Sequence, residues 1–512
     1  MDTTTRTSRS LRNMAVALIY FGATAVLQFF SRRVFLERLG VEVLGLNSTA
    51  VNLLQFLNLA ELGVGLAVGY ALYKPLQQRD GRRVAEIVAV QRYFYRRVGL
   101  VVLVGAVVLS CFFPWIFASM TLPLWYAYAS FGTLLVGTLL SYFINYTQVV
   151  LQADQQNYVV TRTVQTVNLA KVLVQMTAVW YLDNPYVWWL VVEGASAVVS
   201  AVALDCVARR RYPCLNESVG PVAELLHRYS EILRDTRRLF IHRISYYVLT
   251  QTSPLIIYGC VSLAMVTYYG NYMIVISALL MLLDAVFNGL QAGVGNLVAE
   301  GNRRRILDVF AELMSLRFFI SAVASAGLLV LMQPLVSLWL GAEYLLPSEV
   351  LVLLTSIFAI NSYRQAVDVF KIACGLFADV WAAVVEAVLN VGLSIVGGLL
   401  WGLPGILAGV LVSLVIIVLI WKPIYVFRSG LHEPAGAYWK SFALHLLGVV
   451  PAVGALLLAM RYAPIDPYAG FGALLLSGAA VLLPFAAVLA LMLYVLVPGP
   501  RLFVSRIRQL LS

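Results

Sequence analysis

Long runs of apolar residues, separated by short polar connections, dominate the chain. A helix needs about 20 residues to cross the ~30 Å hydrocarbon core of a bilayer, and fourteen runs reach this length. Strands of a membrane barrel would instead alternate polar and apolar residues over about 10 positions. The pattern predicts an all-α integral membrane protein with 14 transmembrane helices. The runs are 12–31, 46–72, 97–118, 123–150, 158–181, 186–207, 239–259, 266–298, 316–340, 348–371, 378–400, 403–427, 441–460 and 471–497.

Basic residues are concentrated in every second connection between these runs. Most of the 36 lysines and arginines lie at the two termini and in the second, sixth, eighth and twelfth connections. The odd connections hold only Arg32, Arg33, Arg38 and Arg461. Because basic residues are retained on the cytoplasmic side of a membrane, the alternation predicts an even number of spans. Both termini are then cytoplasmic.

Composition excludes several other classes of protein. A mean hydropathy of +0.86 and 61% hydrophobic residues exclude a soluble chain. The net charge of +11 follows the predicted topology, so we expect it to face lipid headgroups and not nucleic acid. The first run has no small-residue cleavage site and is expected to be retained. The sequence contains neither a GxxxxGK[ST] phosphate loop nor a cluster of metal ligands, so neither an enzyme nor a bound cofactor is expected.

The longest interruption, residues 208–238, divides the chain into predicted domains. Residues 1–207 form an N-lobe of six spans and residues 239–428 a C-lobe of six. Residues 429–512 add two accessory spans and a cytoplasmic tail. After Pro221 the linker has the spacing of an amphipathic helix. Such a helix could lie on the membrane surface or serve as a plain linker.

The second and eighth spans, one in each lobe, resemble each other. A shift of 224 residues places Asn47 on Asn271, and Glu61 then falls one position from Asp284. The same shift superposes two GxxxG pairs, Gly65–Gly69 on Gly289–Gly293. Internal duplication is common in transporters, which place their substrate site between the repeats.

Polar residues inside a span are costly in hydrocarbon and indicate functional positions. On a continuous helix, the second span would present Asn47, Asn58 and Glu61 on one face, lining a cavity or tethering helices. The eighth span offers Asp284 and Asn288. In the tenth span Asp368 follows Arg364 by one turn. The two residues could form an ion site or a structural ion pair. The ion-coupling candidates are Glu61, Asp284 and Asp368, and the sequence leaves open whether H+ or Na+ is coupled.

Cationic residues near the span ends indicate an anionic substrate. Arg12 opens the first span, and His242 with Arg243 opens the seventh. Arginine binds phosphate oxygens through its planar fork, although each residue could equally anchor its helix at the membrane interface. The substrate-cavity candidates are Asn47, Asn58, Glu61, Arg12, His242, Arg243, Asn271, Asp284 and Asn288.

Several sequence blocks resemble Wzx-type polysaccharide flippases. These are Leu44–Asn47, Phe56–Gly65, Ala71–Leu76, Tyr93–Gly99, Tyr269–Met273 and Gly293–Leu297. The family belongs to the multidrug/oligosaccharidyl-lipid/polysaccharide exporter superfamily. The resemblance covers nearly the whole chain and is most specific over residues 44–99.

The resemblance implies two pseudo-symmetric six-helix lobes around a V-shaped cavity, with the last two helices accessory. It also implies alternating access in the bacterial inner membrane, where an undecaprenyl-pyrophosphate-linked oligosaccharide moves to the outer leaflet. The implied partners are this lipid-linked substrate, membrane lipids and other polysaccharide-assembly proteins. Many relatives carry an acidic residue where this chain reads Thr252-Ser253-Pro254, which argues against ion coupling through the seventh span. The alternatives are a lipid II flippase or a small-molecule exporter of the same superfamily. A membrane glycosyltransferase is not expected, because this sequence lacks the sizeable external loop that such an enzyme would need.

Overall fold

The structure is a computed structural model built of helices and turns. It describes residues 3–61, 64–154, 156–217, 219–229, 252–288, 291–376, 379–462 and 465–511. Among these residues no strand occurs. The prediction of an all-helical chain is therefore confirmed for the described residues.

The chain forms two compact units, Met1–Thr267 and Tyr268–Ser512. The first contains α1 (Thr3–Leu39), α2 (Val41–Leu57), α3 (Val64–Gln78), α4 (Gly81–Cys111), α5 (Trp125–Phe143), α6 (Gln148–Ala153), α7 (Asn157–Tyr181), α8 (Pro185–Arg211), α9 (Val222–Arg228) and α10 (Ser253–Cys260). Helix α11 (Leu263–Asn288) begins in the first unit and ends in the second.

In its described part, the second unit continues with eight further helices, of which α12 and α15 are short. They are α12 (Gln291–Glu300), α13 (Arg303–Trp339), α14 (Ser348–Tyr363), α15 (Gln365–Ala373), α16 (Val380–Ser413), α17 (Ala435–Tyr462), α18 (Phe471–Leu496) and α19 (Pro498–Leu511). Between α16 and α17, wide π-helical turns carry the chain on to Leu431.

Many of these helices have the length and composition of membrane spans. Within the described ranges eight qualify, or nine if α5 and the segment 145–153, bent by 55°, count as one. The chain is thus a multi-pass integral membrane protein. The count of 14 spans stays a prediction, as do the lobe boundaries.

The predicted second span is not one continuous helix. Helix α2 ends at Leu57, a 3-10 turn covers Asn58–Glu61, and α3 begins at Val64. Irregular backbone at membrane depth is stable only where protein or a water-filled cavity surrounds it. The break therefore removes Asn58 and Glu61 from the helical face that they would share with Asn47.

The predicted eleventh and twelfth spans are joined by a sharp turn at Gly402, where the chain reverses direction within α16. Its backbone angles, φ 62° and ψ −139°, are open to glycine and strained for other residues. Residues on either side of the turn face each other: Ser394 Oγ donates to the carbonyl of Ile406 (3.1 Å), and Asn390 Nδ2 donates to Ser413 Oγ (3.2 Å). Residues 380–413 thus form a helical hairpin, and the two predicted spans correspond to its arms.

Three glycines allow the arms of this hairpin to touch backbone to backbone. A Cβ atom added to Gly397 or Gly405 would overlap the carbonyl group of the other, and one at Gly409 would lie 2.5 Å from the backbone of Leu393. Small residues at such positions are the usual route to close helix packing in membranes.

We expect Gly405→Ala to destabilise this hairpin by about 1–3 kcal/mol, because the new methyl group has no space and forces the arms apart. Gly392→Ala is the matched control, since no atom lies within 4 Å of a Cβ at that position. It should be neutral or slightly stabilising because alanine favours helix over glycine. Unfolding of both variants in mixed detergent micelles measures the difference, and equal stabilities would contradict the close packing.

The linker after α8 packs against the first unit in its described part. Leu225 of α9 is 3% exposed and joins the apolar cluster around α4. The Glu86 carboxylate on α4 accepts hydrogen bonds from Arg228 (3.1 Å) and Tyr229 (2.8 Å). Burial, reinforced by the Glu86 carboxylate, raises the pKa of Tyr229 to about 12. The phenol therefore stays protonated at neutral pH and keeps donating to Glu86.

Candidate functional site

The break in the second span carries a carboxylate that is held by two tyrosines. Tyr95 on α4 donates to Glu61 Oε1 at 2.7 Å, and Tyr142 on α5 lies 3.4 Å from Glu61 Oε2. The two phenol rings are themselves in edge contact, with centroids 5.7 Å apart. Both tyrosines are buried, at 4% and 2% exposure, whereas Glu61 is partly exposed. Hydrogen bonds to the charged form of a carboxylate reduce the cost of keeping it at membrane depth.

Asn58 extends this group into a network of four polar side chains. The Tyr142 hydroxyl lies 3.0 Å from Asn58 Oδ1 as well as 3.4 Å from Glu61. A phenol has one hydrogen to donate, so it can serve only one of these acceptors at a time. The arrangement of hydrogens must therefore follow the protonation state of Glu61.

Both protonation states of Glu61 can be satisfied within this network. When Glu61 is ionised, Tyr142 donates to it, and Asn58 turns its amide so that Nδ2 donates to the phenol oxygen. When Glu61 is protonated, its own O–H donates to Tyr142, whose hydrogen passes to Asn58 Oδ1. A carboxyl group with partners in both states can take up and release a proton without leaving a buried polar atom unsatisfied.

Gly65 provides the space that this network needs. It lies four residues after Glu61 in the sequence, at the start of α3, and a Cβ there would be 3.0 Å from the Tyr95 hydroxyl oxygen. It would also lie 3.8 Å from Glu61 Oε1. The glycine thus allows the tyrosine to reach the carboxylate.

The network does not include Asn47, and Asn271 belongs to the other compact unit. Asn47 is on α2, about three helical turns before Asn58, and its Oδ1 lies 3.5 Å from the Ser130 hydroxyl. Asn271 is fully buried in α11, in the second compact unit. Of the predicted cavity residues, the structure brings together Asn58 and Glu61.

Several predicted candidates fall outside what the structure describes. His242 and Arg243 lie in the segment 230–251, outside the described residues. Arg12 lies on α1, and Asp284 and Asn288 lie at the end of α11, but their side chains are outside the described part. Their roles stay predictions.

Asp368, the third ion-coupling candidate, is already paired with two cations. Lys422 Nζ lies 3.3 Å from Asp368 Oδ1, and Arg364 Nε lies 3.7 Å from Oδ2. One turn away, Lys371 pairs with Asp379 at 2.6 Å. Two neighbouring cations stabilise the ionised carboxylate, which favours the structural ion pair over an exchangeable ion site.

A second ion pair lies at mid-helix in the first unit. Lys171 Nζ on α7 donates to Glu193 Oε1 on α8 at 2.9 Å, and Gln175 Nε2 donates to Oε2 at 2.9 Å. The two charged side chains are 18% and 20% exposed. Taken singly, each charge is more typical of a helix tether than of a binding site, and the pairing agrees with a structural role.

Sequence reasoning missed the two tyrosines that contact Glu61 and the pairing of Lys171 with Glu193. Tyr95 lies in the block Tyr93–Gly99 that carries the family resemblance, and this resemblance was the signal that could have identified it. Tyr142 gave no local signal, because its contact with Glu61 depends on how α5 packs. The Lys171–Glu193 pair could have been found from the short turn at 182–184, since the two residues lie at similar distances on either side of it.

Comparison with known proteins identifies the fold. No family model matches the chain, and no curated protein sequence matches it. Among solved structures, the lipid II flippase MurJ in an inward closed conformation aligns with 92% of this chain and 98% of its own, at 15% identity and a TM-score of 0.62. An inward-facing multidrug resistance MATE family transporter of the MOP superfamily aligns with 79% of this chain and 95% of its own, at 14% identity and a TM-score of 0.58.

An outward-facing transporter of the same description aligns with 83% of this chain and 96% of its own, at 13% identity and a TM-score of 0.54. At these identities the likeness establishes the fold alone. The chain therefore has the fold of these MurJ and MATE transporter structures, which is the fold that the sequence resemblance implies, and its membership of the Wzx-type family stays a prediction.

Proposed function

We propose that this protein is a flippase for an undecaprenyl-pyrophosphate-linked oligosaccharide, the repeat unit of an O-antigen, capsule or exopolysaccharide. It would move this lipid from the inner to the outer leaflet of the bacterial cytoplasmic membrane by alternating access, with both termini in the cytoplasm. A sugar–pyrophosphate headgroup cannot cross hydrocarbon unaided, because its charges would lose their hydration without replacement.

The observation that carries the proposal is how far along the chain the fold extends. The MurJ alignment covers 92% of the chain, whereas the two MATE alignments cover 79% and 83%. This difference favours a lipid flippase over a small-molecule exporter. The resemblance of residues 44–99 to Wzx-type flippases then favours a lipid-linked oligosaccharide over lipid II, which remains the second candidate because of the MurJ alignment.

We further propose that Glu61 couples transport to an ion, and that this ion is H+. The support is the network of Glu61, Tyr95, Tyr142 and Asn58, which satisfies its hydrogen bonds with the carboxyl group either charged or neutral. Protonation removes the cost of a charge at membrane depth. The two states of Glu61 thus differ in energy according to how much water reaches the site, as alternating access requires.

A flip assay in proteoliposomes tests the function. Fluorescent undecaprenyl-pyrophosphate oligosaccharide is reconstituted with the protein, and a membrane-impermeant quencher reports the fraction that changes leaflet. We expect protein-dependent movement that protein-free vesicles lack, and faster movement of the oligosaccharide than of labelled lipid II. Faster lipid II movement would select the second candidate. Uptake of a soluble cationic dye without lipid movement would overturn both.

Gly65→Ala should slow this transport about threefold. The added methyl group would sit 3.0 Å from the Tyr95 hydroxyl and push it a few tenths of an ångström away from Glu61. This shift weakens, without removing, a hydrogen bond to a charged group that is worth about 1.5–3 kcal/mol. Gly69→Ala, one turn further along α3, is the matched control because nothing lies within 4 Å of its Cβ. Equal rates in the two variants would remove Tyr95 from the mechanism.

A further inference from the structure

Helices α12, α13 and α19 enclose a cleft of about 380 Å³ in the second unit. Its walls are apolar and include Leu297, Val309 and Leu313. Phe503 of the C-terminal helix α19 closes one side. A cleft of this size and polarity suits part of an amphiphile more than a soluble ion.

Charged side chains of both signs also line this cleft. Arg305 and Glu300 form one ion pair at 3.4 Å, and Arg506 and Glu312 form another at 3.0 Å. The four residues all belong to the lining. The cleft thus combines an apolar wall with two cations and two carboxylates.

Helix α19, which forms one side of the cleft, is anchored to the rest of the second unit. Glu312, which binds Arg506, is 6% exposed, so this ion pair is anchored in the body of the unit. At the start of α19, Gly499 lies so close to α13 that a Cβ there would overlap the carbonyl group of Ala311. These two contacts fix both ends of the segment that faces the cleft.

We propose that this cleft binds a phospholipid with a zwitterionic phosphoethanolamine headgroup. The phosphate would bind Arg305 and Arg506, because guanidinium groups donate paired hydrogen bonds to phosphate oxygens. The ammonium group would bind Glu300 and Glu312, and an acyl chain would lie along Leu313 and Phe503.

Charge complementarity selects this headgroup over the other common ones. A purely anionic headgroup that took Arg305 and Arg506 from their ion pairs would leave Glu300 and Glu312 without a counter-ion. A phosphocholine group carries the same charges as phosphoethanolamine, but its quaternary nitrogen has no N–H to donate to a carboxylate. Phosphoethanolamine satisfies all four charged side chains.

The position of the cleft along α13 fits a lipid at the membrane boundary. The predicted span 316–340 begins at Leu316, at one end of the cleft, whereas Arg303, Arg304 and Arg305 open the helix. Arginines at a helix end mark the headgroup level. The charged groups thus lie where a phospholipid headgroup would lie.

Native mass spectrometry of the detergent-solubilised protein tests this proposal with three lipids of identical acyl chains. Phosphatidylethanolamine should bind about tenfold more tightly than phosphatidylcholine or phosphatidylglycerol, the difference that one charged hydrogen bond provides. Glu300→Gln should weaken phosphatidylethanolamine binding to the level of phosphatidylcholine. Arg304→Gln, an exposed arginine outside the cleft lining, should leave binding unchanged.

Leu313→Trp fills the apolar part of the cleft and should abolish the bound lipid. If that variant does not fold, Glu300→Gln decides the question, because Glu300 is 57% exposed and its neutralisation disturbs no packing. Phosphatidylglycerol binding as tight as phosphatidylethanolamine binding would overturn the proposal. So would an unchanged lipid preference in Glu300→Gln.

Discussion

Glu193→Gln should destabilise the first unit by about 1.5–3 kcal/mol, the usual contribution of hydrogen bonds to a charged group, because the two side chains of this ion pair are only 18% and 20% exposed. The substitution keeps the shape and the hydrogen-bonding atoms of the side chain but leaves the Lys171 ammonium beside a neutral amide. Lys171 is ten residues from the end of α7 at Tyr181, or about 15 Å at 1.5 Å per residue. That is too far for its side chain to reach the water outside a ~30 Å hydrocarbon layer.

The double substitution Lys171→Met with Glu193→Gln should recover most of this loss. It removes both charges, and replacing a buried ion pair by uncharged groups is often close to neutral. Unfolding with increasing denaturing detergent in mixed micelles measures the single and double variants. A double variant as unstable as Glu193→Gln would show that the charges are not the cause.

An exposed ion pair in the same unit provides the matched control. Arg33 and Glu37 lie one turn apart on α1, 2.9 Å between their charged atoms, with exposures of 62% and 47%. Such pairs contribute about 0–1 kcal/mol. Glu37→Gln should therefore change stability little, and a loss comparable to that of Glu193→Gln would contradict the role assigned to burial.

The features that depend on hydrophobic runs could be predicted from the sequence. A helix satisfies its own backbone in lipid, so length and apolarity are enough to indicate α4, α8, α13, α17 and α18. The breaks within the runs were not predicted. The hydropathy pattern indicates a continuous helix at two places where the structure has a break. These are the 3-10 turn Asn58–Glu61 and the bend between Phe143 and Gln148.

Contacts between helices were predictable only where a short turn fixes the register. The hairpin at Gly402 and the Lys171–Glu193 pair are of this kind, because each joins neighbouring helices across a tight connection. Tyr142 is different: 81 residues separate it from Glu61, and no local pattern reports that distance. The sequence therefore identified the carboxylate but not the tyrosine Tyr142 that contacts it.

We expect Glu61→Gln to abolish proton-driven transport, because Tyr95 and Tyr142 would then contact a side chain that cannot ionise. Glutamine has the size of a protonated glutamate and offers Tyr95 and Tyr142 a carbonyl oxygen, so the fold should be unaffected. It cannot lose a proton, so the network is held in one of its two states. We expect lipid movement driven by a pH gradient to fall at least about tenfold, while movement without a gradient falls less.

Tyr142→Phe tests whether the Tyr142 hydroxyl acts in proton transfer or only supports the structure of the site. It leaves Glu61 with Tyr95 as a donor but removes the hydroxyl that links the carboxyl group to Asn58. Without that hydroxyl the ionised carboxylate loses one donor and the protonated carboxyl group loses its acceptor, so we expect the pH profile of transport to change. Tyr146→Phe is the control, since that hydroxyl lies 3.2 Å from Arg209 and makes no contact with Glu61 among the described hydrogen bonds. An unchanged pH profile in Tyr142→Phe, or full gradient-driven transport in Glu61→Gln, would reduce the network to a structural tether.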